Sequence, residues 1–170
     1  MKRWILLLGI ILSGAMLQAQ NVGTVDLIEI CDDSLGEVEE FLGEKSWYFI
    51  AAADEEENVF ANARFVFDRP NFKPTTSASY FITYYHSEIK NARAVQIAFK
   101  VKQTYENFMD QIKSLKYKLV SSKPMDGSIR KVYKRGYQYI EVTIPSDFKG
   151  ANTYKMLFAR KSSYKKIRGL

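Results

Sequence analysis

The residues that could carry catalysis are few, and their spacing does not match known catalytic sites. His86 is the only histidine, so a Ser-His-Asp triad would have to use it, and the chain contains no Gly-x-Ser-x-Gly elbow. No cysteine or second histidine lies at metal-ligand spacing from His86, which argues against a zinc site of the usual kind. The alternation of side chains along its strand favours the interpretation of His86 as a polar residue at the end of a sheet.

Carboxylates are clustered, but in contexts where solvated charge is the ordinary outcome. They occur at a helix start (Asp32 and Asp33), on a helix surface (Glu37, Glu39 and Glu40) and in a turn (Asp54 to Glu57). The turn could collect Ca²⁺ weakly, but it lacks the spacing of a dedicated calcium loop. The nine glycines form no phosphate-binding motif. We therefore predict a non-catalytic protein with no catalytic residue, no metal and no cofactor.

Cys31 is the sole cysteine, so an intramolecular disulfide is impossible and cohesion must come from the core. The sequence favours a buried, inert thiol at this position. The alternative is intermolecular pairing or a reactive thiol.

The first twenty residues have the pattern of a secretory signal peptide. Lys2 and Arg3 precede an apolar run from Trp4 to Leu12, and small residues follow as far as Ala19. This run is too short to anchor the chain in a bilayer, and no later segment is long enough to span one, so we expect no integral membrane protein. The pattern resembles that of secreted proteins of Gram-negative bacteria such as the Bacteroidetes. We predict export to the periplasm or the extracellular space, with residues 21–170 as a single domain.

The charges of that domain are divided between its two halves. Residues 21–90 contain 14 acidic and 5 basic residues, a net charge of −9, whereas residues 91–170 contain 5 acidic and 18 basic residues, a net charge of +13. The basic C-terminal tail at 161–168 could be attracted to an acidic protein or to anionic lipopolysaccharide. Alternatively, it is a solvated, partly frayed terminus.

Two similar stretches, RFVFDR at 64–69 and RKVYKR at 130–135, indicate an internal repeat. Ser34 and Glu37 have the spacing of a capping box and predict a helix that Gly43 ends. Thr104 is predicted to cap a second helix, 70 residues later. Four strand-like runs follow each helix, and Asp126-Gly127 is a hairpin signal between two of them.

The repeat predicts an α+β fold made of two tandem α-β-β-β-β units, at 33–102 and 103–161. The offset between matching segments falls from 70 to 66 to 59 along the units, and Tyr80 is thereby aligned with Tyr139. Joining the units edge to edge gives a curved eight-stranded antiparallel sheet with two helices packed on one face. This order resembles the β-lactamase inhibitory protein architecture and, more distantly, the TATA-binding saddle. The resemblance implies an inhibitor-like or immunity-like role.

Tyrosine and arginine side chains on the inner strands of each unit predict a binding surface on the uncovered sheet face, because these residues are enriched at interface hot spots. The candidate residues are Arg64, Tyr80, Tyr84, Arg130, Tyr133, Tyr137 and Tyr139. The alternative is that these tyrosines form ordinary cross-strand pairs or belong to the core.

The predicted function is therefore that of an exported, non-catalytic binding protein that meets a protein partner through the open sheet face. An anionic envelope component is a further candidate partner for the basic half, whereas export argues against nucleic acid. A small-ligand or envelope-polysaccharide carrier is the alternative function, and it requires a deep apolar cavity between helices and sheet. A hydrolase is the third, and it requires His86 beside a carboxylate in a cleft.

Overall fold

The eight strands in the described part of the chain lie in one open antiparallel sheet. The computed structural model describes residues 21–57, 59–73, 78–146 and 153–169, so the predicted signal peptide at 1–20 lies outside the described residues. The helices are α1 (Thr24–Glu29), α2 (Leu35–Glu44), α3 (Lys102–Ser114) and α4 (Lys161–Ile167). The strands are β1 (Trp47–Ala53), β2 (Ala61–Phe67), β3 (Tyr80–Ser87), β4 (Ala92–Phe99), β5 (Lys118–Met125), β6 (Ser128–Arg135), β7 (Gln138–Pro145) and β8 (Tyr154–Arg160).

The strand order is β1-β2-β3-β4-β8-β7-β6-β5, so the last strands of the two halves pair at the centre of the sheet. Each half contributes a helix followed by four strands that form a meander. The predicted α+β class and the joined eight-stranded sheet are confirmed. Two helices that were not predicted, α1 and α4, are also present. None of the helices in the described ranges is long and apolar enough to cross a membrane.

Local sequence signals account for several of these elements. Ser34 caps α2, because its hydroxyl accepts a hydrogen bond from the Glu37 amide at 3.4 Å and the Glu37 carboxylate accepts one from the Ser34 amide at 2.7 Å. Asp126 and Gly127, with φ of 47° and 73°, form the two-residue turn between β5 and β6. Positive φ at both turn residues matches the right-handed twist of the strands. The predicted cap and the predicted hairpin turn are confirmed, whereas α2 continues through Gly43, its predicted end, to Glu44.

The predicted cap of the second helix is wrong. Helix α3 begins at Lys102, and Thr104 lies buried inside its first turn. The Thr104 hydroxyl lies 3.0 Å from the Tyr80 hydroxyl of β3, within hydrogen-bonding distance. Burial against the sheet therefore gives this side chain a tertiary partner instead of the helix amides that a cap would satisfy.

The core fills the space between α1, α2 and α3 and one face of the sheet. Phe108 of α3 stacks on Phe99 of β4 at 5.6 Å and contacts Phe158 of β8 at 6.5 Å between ring centroids. All three rings are fully buried. The N-terminal segment closes one side, where the Thr24 amide donates to the Gln111 side chain at 2.8 Å. Long apolar side chains from both halves thus form one shared core.

Matching β-bulges occur in the two edge strands. The pairing of β1 with β2 shifts between Phe49 and Ala51, and the pairing of β5 with β6 shifts between Leu119 and Ser121. The 70-residue offset that aligns the helices also aligns these bulges. Because a bulge changes the twist of an edge strand at one defined residue, the two halves share a detail beyond element order.

The ladders correct the alignment of the two quoted stretches. Phe65 pairs with Phe49 in the first half, and Tyr133 pairs with Leu119 in the second, so Phe65 and Tyr133 are structural equivalents. The alignment of Arg64 with Arg130 is therefore wrong by two residues. A shift of two residues along a strand keeps a side chain on the same side of the sheet, so both arginines still lie on the same face. The duplication itself stays a prediction.

Truncation of the central ring tests this account of the core. Phe108→Ala should lower the free energy of unfolding by about 3–5 kcal/mol, because it opens a cavity beneath Phe99 and Phe158. Chemical denaturation followed by tyrosine and tryptophan fluorescence measures the change. Ile89→Ala is the control: Ile89 is 85% exposed in the β3–β4 turn, so its change should stay within about 0.5 kcal/mol. Equal effects of the two substitutions would contradict the assignment of Phe108 to the core.

Candidate functional site

The candidate site is the outer face of the sheet, the face opposite α1, α2 and α3. One row of paired residues crosses this face from β2 to β5. The pairing of each strand with its neighbour places these side chains on the same side. The row consists of Arg64, Thr83, Gln96, Leu157, Glu141, Val132 and Ser121.

Three of the seven predicted site residues do not lie on this face. Tyr80, Tyr84 and Tyr133 point toward the helices, where Tyr84 is buried in the core and the other two pack against it. The Tyr84 hydroxyl donates to the backbone carbonyl of Asp33 at 2.6 Å. The predicted offset of 59 equated Tyr80 with Tyr139, but the ladders make Ile82 equivalent to Ile140, an offset of 58. An error of one residue exchanges the two faces of a strand. Their placement on the open face was therefore wrong.

The other four predicted residues lie on the outer side of the sheet or in a turn at its edge, although Tyr139 is partly buried there. Arg64, Arg130 and Tyr139 lie on the outer face. Tyr137 lies in the β6–β7 turn and is 79% exposed. Whether these four residues bind a partner stays a prediction.

The outer face is not fully open, because the C-terminal helix α4 packs across its centre. Tyr164 of α4 stacks on Tyr139 of β7 with 5.2 Å between ring centroids. Tyr164 packs with Ala94, Leu157 and Ala159 in a second, smaller apolar cluster. The expectation of a frayed, solvated tail is therefore wrong over Lys161–Ile167.

A buried carboxylate holds α4 in place. Glu141 of β7 is 2% exposed and accepts hydrogen bonds from the Tyr164 hydroxyl at 2.7 Å and from Arg168 Nε at 3.1 Å. A second Arg168 nitrogen bonds its other oxygen, and Arg130 lies 3.9 Å away. Burying a charge is favourable only with such partners. We call these residues, Glu141, Tyr164, Arg168 and Arg130, the Glu141 cluster.

The Glu141 cluster also affects the acidity of its tyrosine. Burial, the hydrogen bond to Glu141 and the charge of that carboxylate together raise the pKa of Tyr164 to about 12. The positive charges of Arg168 and Arg130 oppose this shift. Tyr164 therefore remains a neutral hydrogen-bond donor at physiological pH.

Beyond α4, the outer face of β5 and β6 carries cations that face each other. Lys118 pairs with Lys134, and Lys123 pairs with Arg130. Directly opposed side chains have Cβ atoms about 5 Å apart, so like charges there destabilise the sheet. We call Lys118, Lys123, Arg130 and Lys134 the basic outer patch. Of these four cations, only Arg130 forms an ion pair within the described part of the chain, and its partner is Glu141.

A basic cleft lies where the β6–β7 turn meets the start of α4. Its volume is about 690 Å³. The Lys161 amide donates to the Tyr137 carbonyl at 2.7 Å and so fixes the turn against the helix. Among the described residues that line the cleft, four are cations and none is a carboxylate. The lining consists of Arg135, Tyr137, Gln138, Arg160, Lys161, Ser162 and Lys165.

Two of those cations have other partners. Arg160 pairs with Asp32 at 2.6 Å. Arg135 donates to the Leu115 carbonyl at 3.1 Å and lies over the Tyr117 ring at 5.1 Å. Their positions are thus set by the protein before any ligand arrives. Arg135 directly follows Lys134 in the sequence, but successive strand residues point to opposite faces, so the Arg135 side chain lies on the helix side, at the Leu115 carbonyl.

The residues considered for catalysis lie elsewhere. His86 stacks on Tyr84 at 5.6 Å, and its cross-strand neighbours are Ala61 and Arg93 rather than a carboxylate. Cys31 is buried, and burial raises its thiol pKa to about 12, which keeps it protonated. In the part of the chain that the structure describes, no three His, Cys, Asp or Glu residues are grouped to hold a metal ion. Asn58 of the acidic turn lies outside the described residues.

The alternative hypothesis of a carrier needs a deep cavity between the helices and the sheet. Stacked rings occupy that space, including Phe99, Phe108 and Tyr154. The three described clefts instead open at the surface around α4. The packing therefore gives this alternative no support.

Comparisons with known proteins give no family for the chain. No family model matches it, and no match is found among curated proteins or solved structures. The likeness to the β-lactamase inhibitory protein architecture therefore remains a likeness in element order.

Sequence reasoning missed the Glu141 cluster and the basic cleft. Two signals were available for α4: Tyr164 and Ile167 are spaced three apart, and Lys165 and Lys166 lie in the last helical turn. No signal pointed to Glu141, because its partner Arg168 is 27 residues away in the sequence.

Neutralising the buried carboxylate should release α4. We expect Glu141→Gln to lower the free energy of unfolding by about 1–3 kcal/mol, because Arg168 loses its charged partner. Trypsin should then cleave after Lys165 and Lys166 several times faster. The control is Glu106→Gln, which removes an exposed ion pair with Lys102 and should change stability by less than about 0.5 kcal/mol. Unchanged proteolysis of α4 would refute the role of Glu141.

The raised pKa of Tyr164 predicts a loss of stability in alkali. An unfolded tyrosine titrates near pH 10, whereas folded Tyr164 titrates at about 12. Its contribution is therefore complete below pH 10 and is lost as the pH rises to 12, by an amount on the order of 2 kcal/mol.

Tyr164→Phe removes that titration. Thermal unfolding measured from pH 9 to pH 12 should show a shallower decline than in the wild type. Tyr137→Phe changes an exposed tyrosine and should leave the wild-type decline intact. Identical slopes for all three proteins would show that Tyr164 does not contribute.

Proposed function

We propose that this protein is a non-catalytic binding protein, exported from the cytoplasm, that holds an acidic segment of a protein partner on its outer face. The binding surface consists of the basic outer patch and the basic cleft next to it. The observation that carries the proposal is the direct opposition of cations across β5 and β6, at Lys118 with Lys134 and at Lys123 with Arg130.

Opposed like charges are unfavourable in the free protein. Each such pair costs a few tenths of a kcal/mol or more relative to a neutral pair. A carboxylate placed between two cations removes that repulsion and gains attraction to both. The sheet is therefore less stable alone than with an acidic ligand, as expected of a surface adapted to binding.

The aromatic and arginine content of the surface favours a protein ligand. Tyr137 is exposed beside Arg135 and Lys161, and rigid tyrosine and arginine side chains are frequent anchors in protein interfaces. The cleft volume lies in the range of pockets that accommodate small ligands or a few residues of a chain. An extended acidic segment can place one side chain in the cleft and others along the patch.

The leader pattern at 1–20 supports export. Absence of a recognisable triad in the sequence and the placement of His86 against Tyr84 support a role without catalysis. The charge of the second half supports an acidic partner, because complementary charge accelerates association and excludes like-charged competitors.

The test uses a fluorescein-labelled peptide of alternating glutamate and tyrosine residues, with binding followed by fluorescence anisotropy at low salt. The double variant Lys123→Glu with Lys134→Glu should weaken binding about tenfold, which corresponds to about 1.4 kcal/mol. The same variant should be more stable than the wild type, because each new carboxylate faces a cation across the strands. Weaker binding with higher stability is the expected combination.

The matched control is Lys100→Glu with Lys102→Glu, two exposed lysines, one just before α3 and one at its first residue. It changes the net charge equally but leaves the outer face intact, so it should lose little affinity. Equal losses in both double variants would show binding by net charge alone and contradict the proposed surface. If heparin competes at lower concentration than unlabelled peptide, an anionic polysaccharide replaces the protein partner.

A further inference from the structure

The sheet ends in two strands, β1 and β5, that each pair with one neighbour in the described part of the chain. Each therefore presents a row of backbone N–H and C=O groups on its outer edge. Such edges pair readily with another strand unless charge, proline or a covering element prevents it.

The β1 edge has one of the usual protections, the bulge between Phe49 and Ala51, but lacks the others. Residues 47–53 read Trp-Tyr-Phe-Ile-Ala-Ala-Ala, without a charge or a proline. Phe49 is 55% exposed. An apolar, uncharged edge of this kind favours strand addition.

The β5 edge has a matching apolar position. Leu119 aligns with Phe49 between the two halves, lies on the same side of the sheet and is 52% exposed. Val120 beside it is 53% exposed. Pro124 lies near the far end of β5, so it leaves the first residues of the strand able to pair.

The strand directions of the two edges suit each other. Every neighbouring pair in the sheet is antiparallel, and eight strands alternate in direction from β1 to β5. A second molecule, turned only enough to continue the twist of the sheet, therefore presents its β5 antiparallel to β1 of the first. The sheet is not turned over, so the helices of both molecules lie on the same side.

Charge complements this geometry. The acidic turn at 54–57 follows the C-terminal end of β1, whereas Lys116 precedes the N-terminal end of β5. Lys113 is also near, but it already pairs with Asp110 at 3.2 Å. In an antiparallel pair with Phe49 near Leu119, the acidic turn of one molecule lies next to Lys116 of the other. The net charges of the two sequence halves, −9 and +13, favour the same contact.

We infer that the β1 edge is an interaction surface for the β5 edge of a second copy of this chain. The contact is head to tail, so it joins two different surfaces and leaves one of each unpaired at the ends of an assembly. It buries Phe49 against Leu119 and extends the antiparallel sheet across molecules. The inference is independent of the acidic partner proposed above.

The symmetric alternatives are less favourable. Pairing β5 with β5 brings Lys118 and Lys123 of two copies together. Pairing β1 with β1 places only Lys45 near the acidic turn of the other copy, and Lys45 already lies 3.7 Å from Asp26. Like charges across an interface suppress association. The head-to-tail contact alone combines apolar burial with opposite charge.

Sedimentation velocity of the wild type at increasing salt is the first test. The average mass should rise with protein concentration at low salt and fall toward the monomer at high salt, because the Debye length drops from about 30 Å at 0.01 M to about 3 Å at 1 M. A wild type that stays monomeric at high concentration in low salt overturns the inference.

Complementary edge variants make the second test. Phe49→Lys blocks β1, and Leu119→Lys blocks β5. Each variant alone should be a monomer, because one of the two required edges is missing. Mixed in equal amounts, they should form a dimer of twice the monomer mass and nothing larger, since one intact β1 edge meets one intact β5 edge.

Dimerisation of one variant alone would identify a different contact. If Leu119→Lys dimerises alone, the contact is β1 with β1; if Phe49→Lys dimerises alone, it is β5 with β5. Either result overturns the head-to-tail arrangement, as does a mixture that stays monomeric. Ile89→Lys, at an 85% exposed turn position away from both edges, is the control and should assemble like the wild type. Circular dichroism establishes that all three variants are folded.

Discussion

The pairing of β4 with β8 is the contact on which the rest of the structure depends. It joins two four-stranded meanders into one sheet, and it replaces two exposed edges with a continuous ladder from Ala94 opposite Ala159 to Phe99 opposite Tyr154. The same ladder aligns the aromatic rings that α3 covers, including Phe99 and Phe158. Without it, each helix would cover too small an area of sheet to exclude water from a core.

Joining the halves also determines the electrostatics. The acidic first half and the basic second half become the two ends of one sheet instead of separate bodies. Within the second half, regular antiparallel pairing brings Lys118 opposite Lys134 and Lys123 opposite Arg130. The sheet geometry thus converts a basic composition into a basic surface of defined position.

Helix α4 shows how a single buried charge organises a surface that would otherwise be open. Glu141 lies near the centre of the outer face, and a carboxylate there requires partners. Tyr164 and Arg168 supply them from the end of the chain. The basic cleft lies at the start of this helix, and a smaller cleft around Tyr85 lies at its end.

Local chemistry by itself determined much of the fold. Ser34 with Glu37 sets the start of α2, Asp126 with Gly127 sets a hairpin, and the apolar run at 47–53 sets β1, because each signal acts within a few residues. The order of elements then limits the topology to joined meanders. Residue spacing in the sequence also gave the 70-residue offset that aligns the two bulges.

Only the tertiary structure decided which side chains belong to the site. The face on which a strand residue lies depends on register, and an error of one residue reverses it, as with Tyr80 and Tyr139. Thr104 has the residue type of a helix cap but lies buried against Tyr80. The partners of Glu141 come from a helix that follows the last strand, and long-range contacts of this kind leave no pattern in neighbouring residues. Short-range propensities therefore determine the elements, whereas pairing register and packing determine the surface that they form.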